Sequence, residues 1–134
     1  MSKHQTSILI TGASSGIGAA LALVYAGPDV TLFLSGRDQN RLSEIAQTCK
    51  KKGANVFEQV IDVTDQSAMA AWILEADSQA PLDLVIANAG ISGGSDSQNE
   101  ELSRQIFATN VDGVLNTVLP IIPRMISRKR GQLA

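Results

Sequence analysis

One cysteine, one histidine and one tyrosine in 134 residues remove several chemistries at the outset. Cys49 has no partner for an internal disulfide and no second thiol with which to ligate a metal. His4, in a polar N-terminal tail, leaves neither a Ser-His-Asp triad nor a histidine metal site with a candidate base. Charge is nearly balanced, at a net −2 with a pI of about 5.3. That excludes the basic footprint of a nucleic-acid or acidic-lipid binder, and no such partner is expected. The chain opens on polar Met1–Ser7 followed by only Ile8–Ile10, too short an apolar core for a signal peptide. No run reads as long enough to span a bilayer, so no integral membrane segment is expected and the expected location is cytoplasmic.

What is present is a packed composition: 44% apolar residues and a mean hydropathy of +0.08, over a length that suits one domain covering residues 1–134. Short apolar runs alternate with amphipathic stretches. Ser7–Ile10 reads as a strand, followed by a glycine-rich turn and a helix to Ala26 that Gly27-Pro28 stops. Val30–Leu34 reads as a second strand. Asp38-Gln39-Asn40 caps a helix carrying Leu42, Ile45 and Ala46 at helical spacing, and Gly53 ends it. Asn55–Ile61 is a third strand, Asp65–Ala76 a third helix, and Leu82–Ala87 a fourth strand running into Asn88-Ala89-Gly90. Glu100–Ser127 reads as one long helical region bent near Pro120 and Pro123. This alternation implies an α/β fold, with βαβ units and a doubly wound parallel sheet of order 3-2-1-4, covered by helices on both faces. Ligands of such sheets bind at the carboxyl edge, where the strand order reverses.

Thr11-Gly12-Ala13-Ser14-Ser15-Gly16-Ile17-Gly18 lies at that edge. Its spacing is Gly-x3-Gly-x-Gly rather than G-x-G-x-x-G, but the physics is shared. Gly12 permits a tight turn, Gly16 lets a pyrophosphate approach the backbone, and Gly18 lets the helix pack close to the strand. Amides around Ser15–Ile17 lie at the positive helix end, where an anion is favoured.

The segment resembles the cofactor motif of the short-chain dehydrogenase/reductase family, and further motifs of that family follow in order. Asp62-Val63 ends the third strand, where the family contacts adenine. Ala87-Asn88-Ala89-Gly90 is similar to its N-N-A-G motif with alanine in first place, and Asn110-Val111 resembles the N-V pair of its long helix. The resemblance covers essentially the whole chain and implies a Rossmann-type domain that binds a dinucleotide through Thr11, Gly12, Ser14–Gly18, Asp62, Val63 and Asn88–Gly90. Taken singly, Asp62 also reads as a strand-end cap and Asn88 as a turn residue; the ordered set favours the site.

Arg37 follows the second strand, about 20 residues beyond the last motif glycine, where dinucleotide enzymes read the ribose. An NAD enzyme needs a carboxylate there, whereas this chain has Gly36 and then Arg37, whose guanidinium suits a 2′-phosphate. Ser35 adds a hydroxyl. Asp38 is the competing acid, better explained as the cap of the next helix. The expected cofactor is therefore NADP, with NAD second.

In the family, hydride transfer uses a serine, a tyrosine, a lysine four residues after the tyrosine, and an asparagine in the long helix. Only the asparagine has a counterpart, Asn110. Tyr25 is followed at position 29 by aspartate, so Tyr-x-x-x-Lys is absent, and Gln132–Ala134 reads as the opening of a fifth strand. The expectation is a cofactor-binding N-terminal portion, truncated after about four strands and inactive as it stands. The complete protein would act on a small carbonyl or alcohol substrate. The reading from another class is a non-catalytic nucleotide-binding or redox-sensing module. Lys50–Lys52 and Arg128–Arg130 read as basic ends of helices. Ile106, Phe107, Val111, Leu115 and Leu119 leave the long region apolar on more than one face, implying a homo-oligomer through residues 100–127, where the family builds its subunit interface.

Overall fold

A computed structural model describes residues 6–90 and 99–134. His4 lies outside them. The described chain runs β1 (Thr6–Ile10), α1 (Gly16–Tyr25), β2 (Val30–Gly36), α2 (Gln39–Lys51), β3 (Asn55–Val60), α3 (Gln66–Gln79) and β4 (Leu84–Ile86). It continues through α4 (Glu100–Phe107), a widened π turn (Ala108–Asp112), α5 (Gly113–Val118), α6 (Ile122–Ser127) and β5 (Gln132–Leu133). Every strand pair is parallel and the order is β3-β2-β1-β4-β5. The expected 3-2-1-4 order is present with a fifth strand added to it. β4 is shorter than the expected Leu82–Ala87, and it is not an edge: β5 pairs with it, and Gln132 and Ala134 donate to the Asp83 and Val85 carbonyls.

Alternation along the central strands builds two cores. Ile8, Ile10, Leu32 and Leu34 meet Ala22 of α1 and Leu42 and Cys49 of α2 on one face. Leu9, Phe33 and Val85 meet Met69 and Ile73 of α3, with Ile121 and Met125, on the other. Both faces of β1 and β2 are thus covered. β3, the edge strand of the expected order, is less covered: Phe57 is 48% exposed, stacked on Phe33 with ring centroids 5.2 Å apart, while Val56 packs against the first core. Burial pushes the Cys49 thiol up, with Lys52 opposing, so this cysteine packs as an inert apolar group.

Two helix starts follow their local signals. Asp38 accepts from Arg41 N–H and Asp65 from Ala68 N–H, each the side-chain bond of an N-cap residue. The expected long helical region over 100–127 is present: α4, the π turn and α5 run on without interruption, and the break before α6 falls at residues 119–121, at the expected bend near Pro120. By length and composition this region is apolar enough to cross a membrane. Its inner row, Gly113, Thr117, Ile121 and Met125, is buried against the protein. Its charge is also engaged, since Arg124 reaches buried Asp77 at 3.2 Å.

Arg128 and Arg130 do more than complement a helix end. Arg128 donates to both Asp77 oxygens and to the Leu82 carbonyl, and Arg130 pairs with Asp83 at 3.1 Å. Burial alone would push the Asp77 carboxyl up. Hydrogen bonds from Arg128, Leu82 N–H and Arg124 outweigh it and hold the group below the ordinary carboxylate value.

Candidate functional site

The carboxyl ends of β1, β2 and β4 are laced together. Thr11 is buried, and its hydroxyl oxygen accepts from the N–H groups of Asn88 (3.0 Å) and Ala89 (3.1 Å). Asn88 Nδ2 donates to the Gly12 carbonyl, and Ala13 N–H to that of Ser35. The loops after three strands therefore hold one another in register.

Within this frame the motif glycines differ in what they do. Gly12 has φ +66°, and a Cβ there would stand 2.7 Å from the Ala89 Cα. A Cβ on Gly18 would run into the Gly12 carbonyl, so α1 sits as close to the strand as backbone allows. Gly16, at φ +58°, faces open space, with no atom of the described residues within 4 Å of a Cβ position. Ser15 precedes α1 in extended backbone and its side chain makes no capping bond. The helix start is left without that internal acceptor, an arrangement that favours an incoming anion.

A cavity of about 430 Å³ lies over these strand ends. Of the residues expected from the sequence, Gly12, Ser14–Ile17, Ser35, Arg37, Asp62, Val63 and Asn88–Gly90 line it. Thr11 and Gly18 are buried beneath, where they shape the loop. Asn110 is not a wall residue; it stands beside the rim, where a Cβ on Gly90 would come within 2.9 Å of its Oδ1.

The rim is electrostatically uneven. Arg37 is exposed, and among the described residues no hydrogen bond or ion pair holds its guanidinium. Asp38, the competing acid, is engaged elsewhere: Oδ1 takes the Arg41 N–H at 3.1 Å, and Oδ2 lies 3.6 Å from Arg41 Nε. A side chain at position 36 would meet Ser14 Oγ at 2.8 Å, so the loop leaves little room for an acid there either. Asp62 is held by Thr64, which donates to one carboxylate oxygen from its N–H (2.9 Å) and its hydroxyl (2.8 Å). Those two bonds, the backbone one first, outweigh partial burial and lower the Asp62 pKa, with Arg37 adding to the effect. Ser35 is 1% exposed, and its Oγ has no hydrogen-bond partner among the described residues. An orphaned buried hydroxyl in a cavity wall fits a polar ligand there.

Three contributors escaped the sequence reading. Arg41 and Thr64 carry local signals, one a helical turn beyond the cap and the other two residues after Asp62. Asn116 carries none: its Nδ2 donates to the Val63 carbonyl at 2.9 Å from 53 residues away. Beside it, Gly113 presses on the Val63 side chain with no room for a Cβ.

The sequence profile of the family described as short chain dehydrogenase matches residues 6–134. An uncharacterized oxidoreductase from Myxococcus xanthus is 39% identical over 128 residues, which cover 93% of this chain and 51% of that protein. Among solved structures, an alcohol dehydrogenase from the archaeon Thermococcus sibiricus, complexed with 5-hydroxy-NADP, superposes with a TM-score of 0.84 at 28% identity. That match covers 96% of this chain and 56% of the other. A 3-oxoacyl-[acyl-carrier protein] reductase from Brucella melitensis with bound NAD gives a TM-score of 0.83 at 24% identity, covering 96% and 52%, and shows the shared fold. The chain spans about half the length of the curated relatives it matches.

Proposed function

The chain belongs to the short-chain dehydrogenase family, and on that premise we propose that these residues bind NADP(H) for an oxidoreductase acting on a small carbonyl or alcohol. The family binds nicotinamide dinucleotides, which supply or accept the hydride. The proposed placement has the pyrophosphate over Ser14–Ile17 at the start of α1. Adenine lies against Asp62 and Val63, Ser35 gives its hydroxyl to the same half, and Asn88–Gly90 form the opposite wall. Asn110 is assigned to orient a water at the mouth.

The observation that carries the NADP reading is an arginine that makes no ion pair or hydrogen bond among the described residues, beside an acid already committed to a helix cap. A ribose 2′-hydroxyl needs an available carboxylate, and a 2′-phosphate needs an available guanidinium. Arg37→Ala is expected to weaken NADP by about 10- to 100-fold, the range of a charged hydrogen bond, and to leave NAD unchanged. Calorimetric titration with both cofactors measures this. Equal affinities that ignore the substitution would overturn the assignment. The 134 residues contain no Tyr-x-x-x-Lys, so cofactor binding rather than turnover is the activity to assay on this chain.

The proposal extends to self-association with a second copy. Phe107, Val111, Leu115 and Leu119, spaced four apart along one helical region, are 68%, 48%, 44% and 56% exposed. A continuous apolar row of that kind is stabilised by cover. Light scattering is expected to give an oligomer that Leu115→Arg reduces to monomer; a parent chain monomeric at high micromolar concentration would remove this part.

A further inference from the structure

Arg37 is not the only guanidinium at the cavity. Arg41 lies on its wall together with Arg37, Gly36, Ser14 and Asp62. The placement follows from the local fold. Asp38 ends the loop after β2 as the N-cap of α2, so the helix begins at Gln39 and delivers Arg41 at the end of its first turn. There the side chain reaches back over the cap. Its nearest acid is Asp38, and the approach runs through Nε at 3.6 Å, longer than a hydrogen bond. Both side chains are more than half exposed, at 67% and 51%. Such a pair holds its partners weakly and exchanges readily.

We propose that Arg41 is a second specificity-determining residue, which with Arg37 forms a two-guanidinium clamp for the cofactor's 2′-phosphate. This inference rests on the reading of the cavity as a nucleotide site. A phosphate monoester carries close to two negative charges at neutral pH, more than one guanidinium neutralises. Among the cavity-lining residues, Arg37 and Arg41 give two positive charges, set against Asp38, which caps α2, and Asp62, one oxygen of which takes two bonds from Thr64. A 2′-phosphate entering beside Arg37 replaces Asp38 as the better partner of Arg41, because it offers three acceptor oxygens and the larger charge. Asp38 keeps its bond to the Arg41 N–H, so the helix cap survives the exchange. A ribose 2′-hydroxyl offers Arg41 no charge, and Arg41 then stays with Asp38. The residue thus acts on the difference between the two cofactors and not on the adenosine they share.

The experiment uses the 134-residue chain and two probes, 2′,5′-ADP and 5′-AMP, titrated by calorimetry at low and moderate salt. Arg41→Gln is expected to weaken 2′,5′-ADP about fivefold and leave 5′-AMP unchanged, with the difference shrinking as salt rises. Arg41→Lys is expected to recover part of the loss, because it restores charge without the planar fork. Asp38→Asn retains a good N-cap and removes the competing acid, and should tighten 2′,5′-ADP alone. A surface arginine with only a structural role would shift both probes together, or neither. If Arg37→Ala lowers the 2′,5′-ADP to 5′-AMP preference and Arg41→Gln does not, the clamp is overturned and the Arg37 assignment stands. If neither variant changes the preference, both 2′-phosphate assignments fall; if the parent binds neither probe, the nucleotide reading itself falls.

Discussion

The two ends of the parallel sheet are built on opposite principles. At the amino ends of β1 and β4 the polar groups satisfy one another. Asp77, 5% exposed, takes Leu82 N–H and Arg128 Nη2, each at 2.8 Å, and Arg124 at 3.2 Å, while Asp83 holds Ser7 N–H and Arg130. At the carboxyl ends groups are left over among the described residues: Arg37 without an ion pair, Ser35 Oγ without a hydrogen-bond partner, and α1 without a side-chain cap. Unsatisfied polar groups cost stability, and here they gather on one cavity instead of being scattered. The closed end holds the chain together, and the open end is where a ligand completes the bonding.

The sharpest way to break this comparison is at Asp77. Asp77→Asn leaves two arginines facing a neutral amide and is expected to destabilise the chain by about 2–3 kcal/mol, a value discounted because Arg124 is part-exposed. Denaturant unfolding measures it, and the preference for 2′,5′-ADP over 5′-AMP should not move. A loss below about 1 kcal/mol, within the range of an exposed pair, would mean that the network is ornamental. The same carboxylate sets an acid limit. Its folded pKa is lowered, so its contribution is fully present above the unfolded value of about 3.9 and is lost as pH falls through the folded one. Stability of the parent should fall below about pH 4, and more steeply than that of Asp77→Asn.

The smallest expected effect lies at the open end. Ser35→Ala removes an orphaned hydroxyl and should leave the ligand-free chain unchanged or more stable by up to about 1 kcal/mol. It should also weaken the nucleotide if the hydroxyl is used. Thermal unfolding with and without NADP separates the two effects. Destabilisation of the ligand-free chain would show that Ser35 already has an internal role and would blur the contrast between the ends.

Much of the open end was legible because its signals are local. Thr11–Gly18 specifies a turn through glycine conformation and close approach, and Asp38 and Asp65 specify helix starts through a bond only three residues long. The closed end was not legible. Asp77 reads as one more acid on an amphipathic helix, and nothing within a few residues marks it as the anchor for Arg124 and Arg128. In the long region the bend near Pro120 was legible and the π turn was not. The region's apolar content is continuous, and no proline or glycine precedes the π turn at Ala108–Asp112.

Side-chain periodicity and backbone sterics act over a few residues, and they determined from sequence alone the strand-helix alternation, the glycine loop, the caps and the placing of Arg37 after β2. The rest depends on which distant segments meet. Only the tertiary structure pairs β5 with β4, leaves β3 largely open to solvent, hooks Asn116 onto Val63 and turns Arg41 over the cavity. These contacts form when burial of the two cores fixes α2, α3 and the long helical region against the sheet, a free-energy balance that no short stretch of sequence contains.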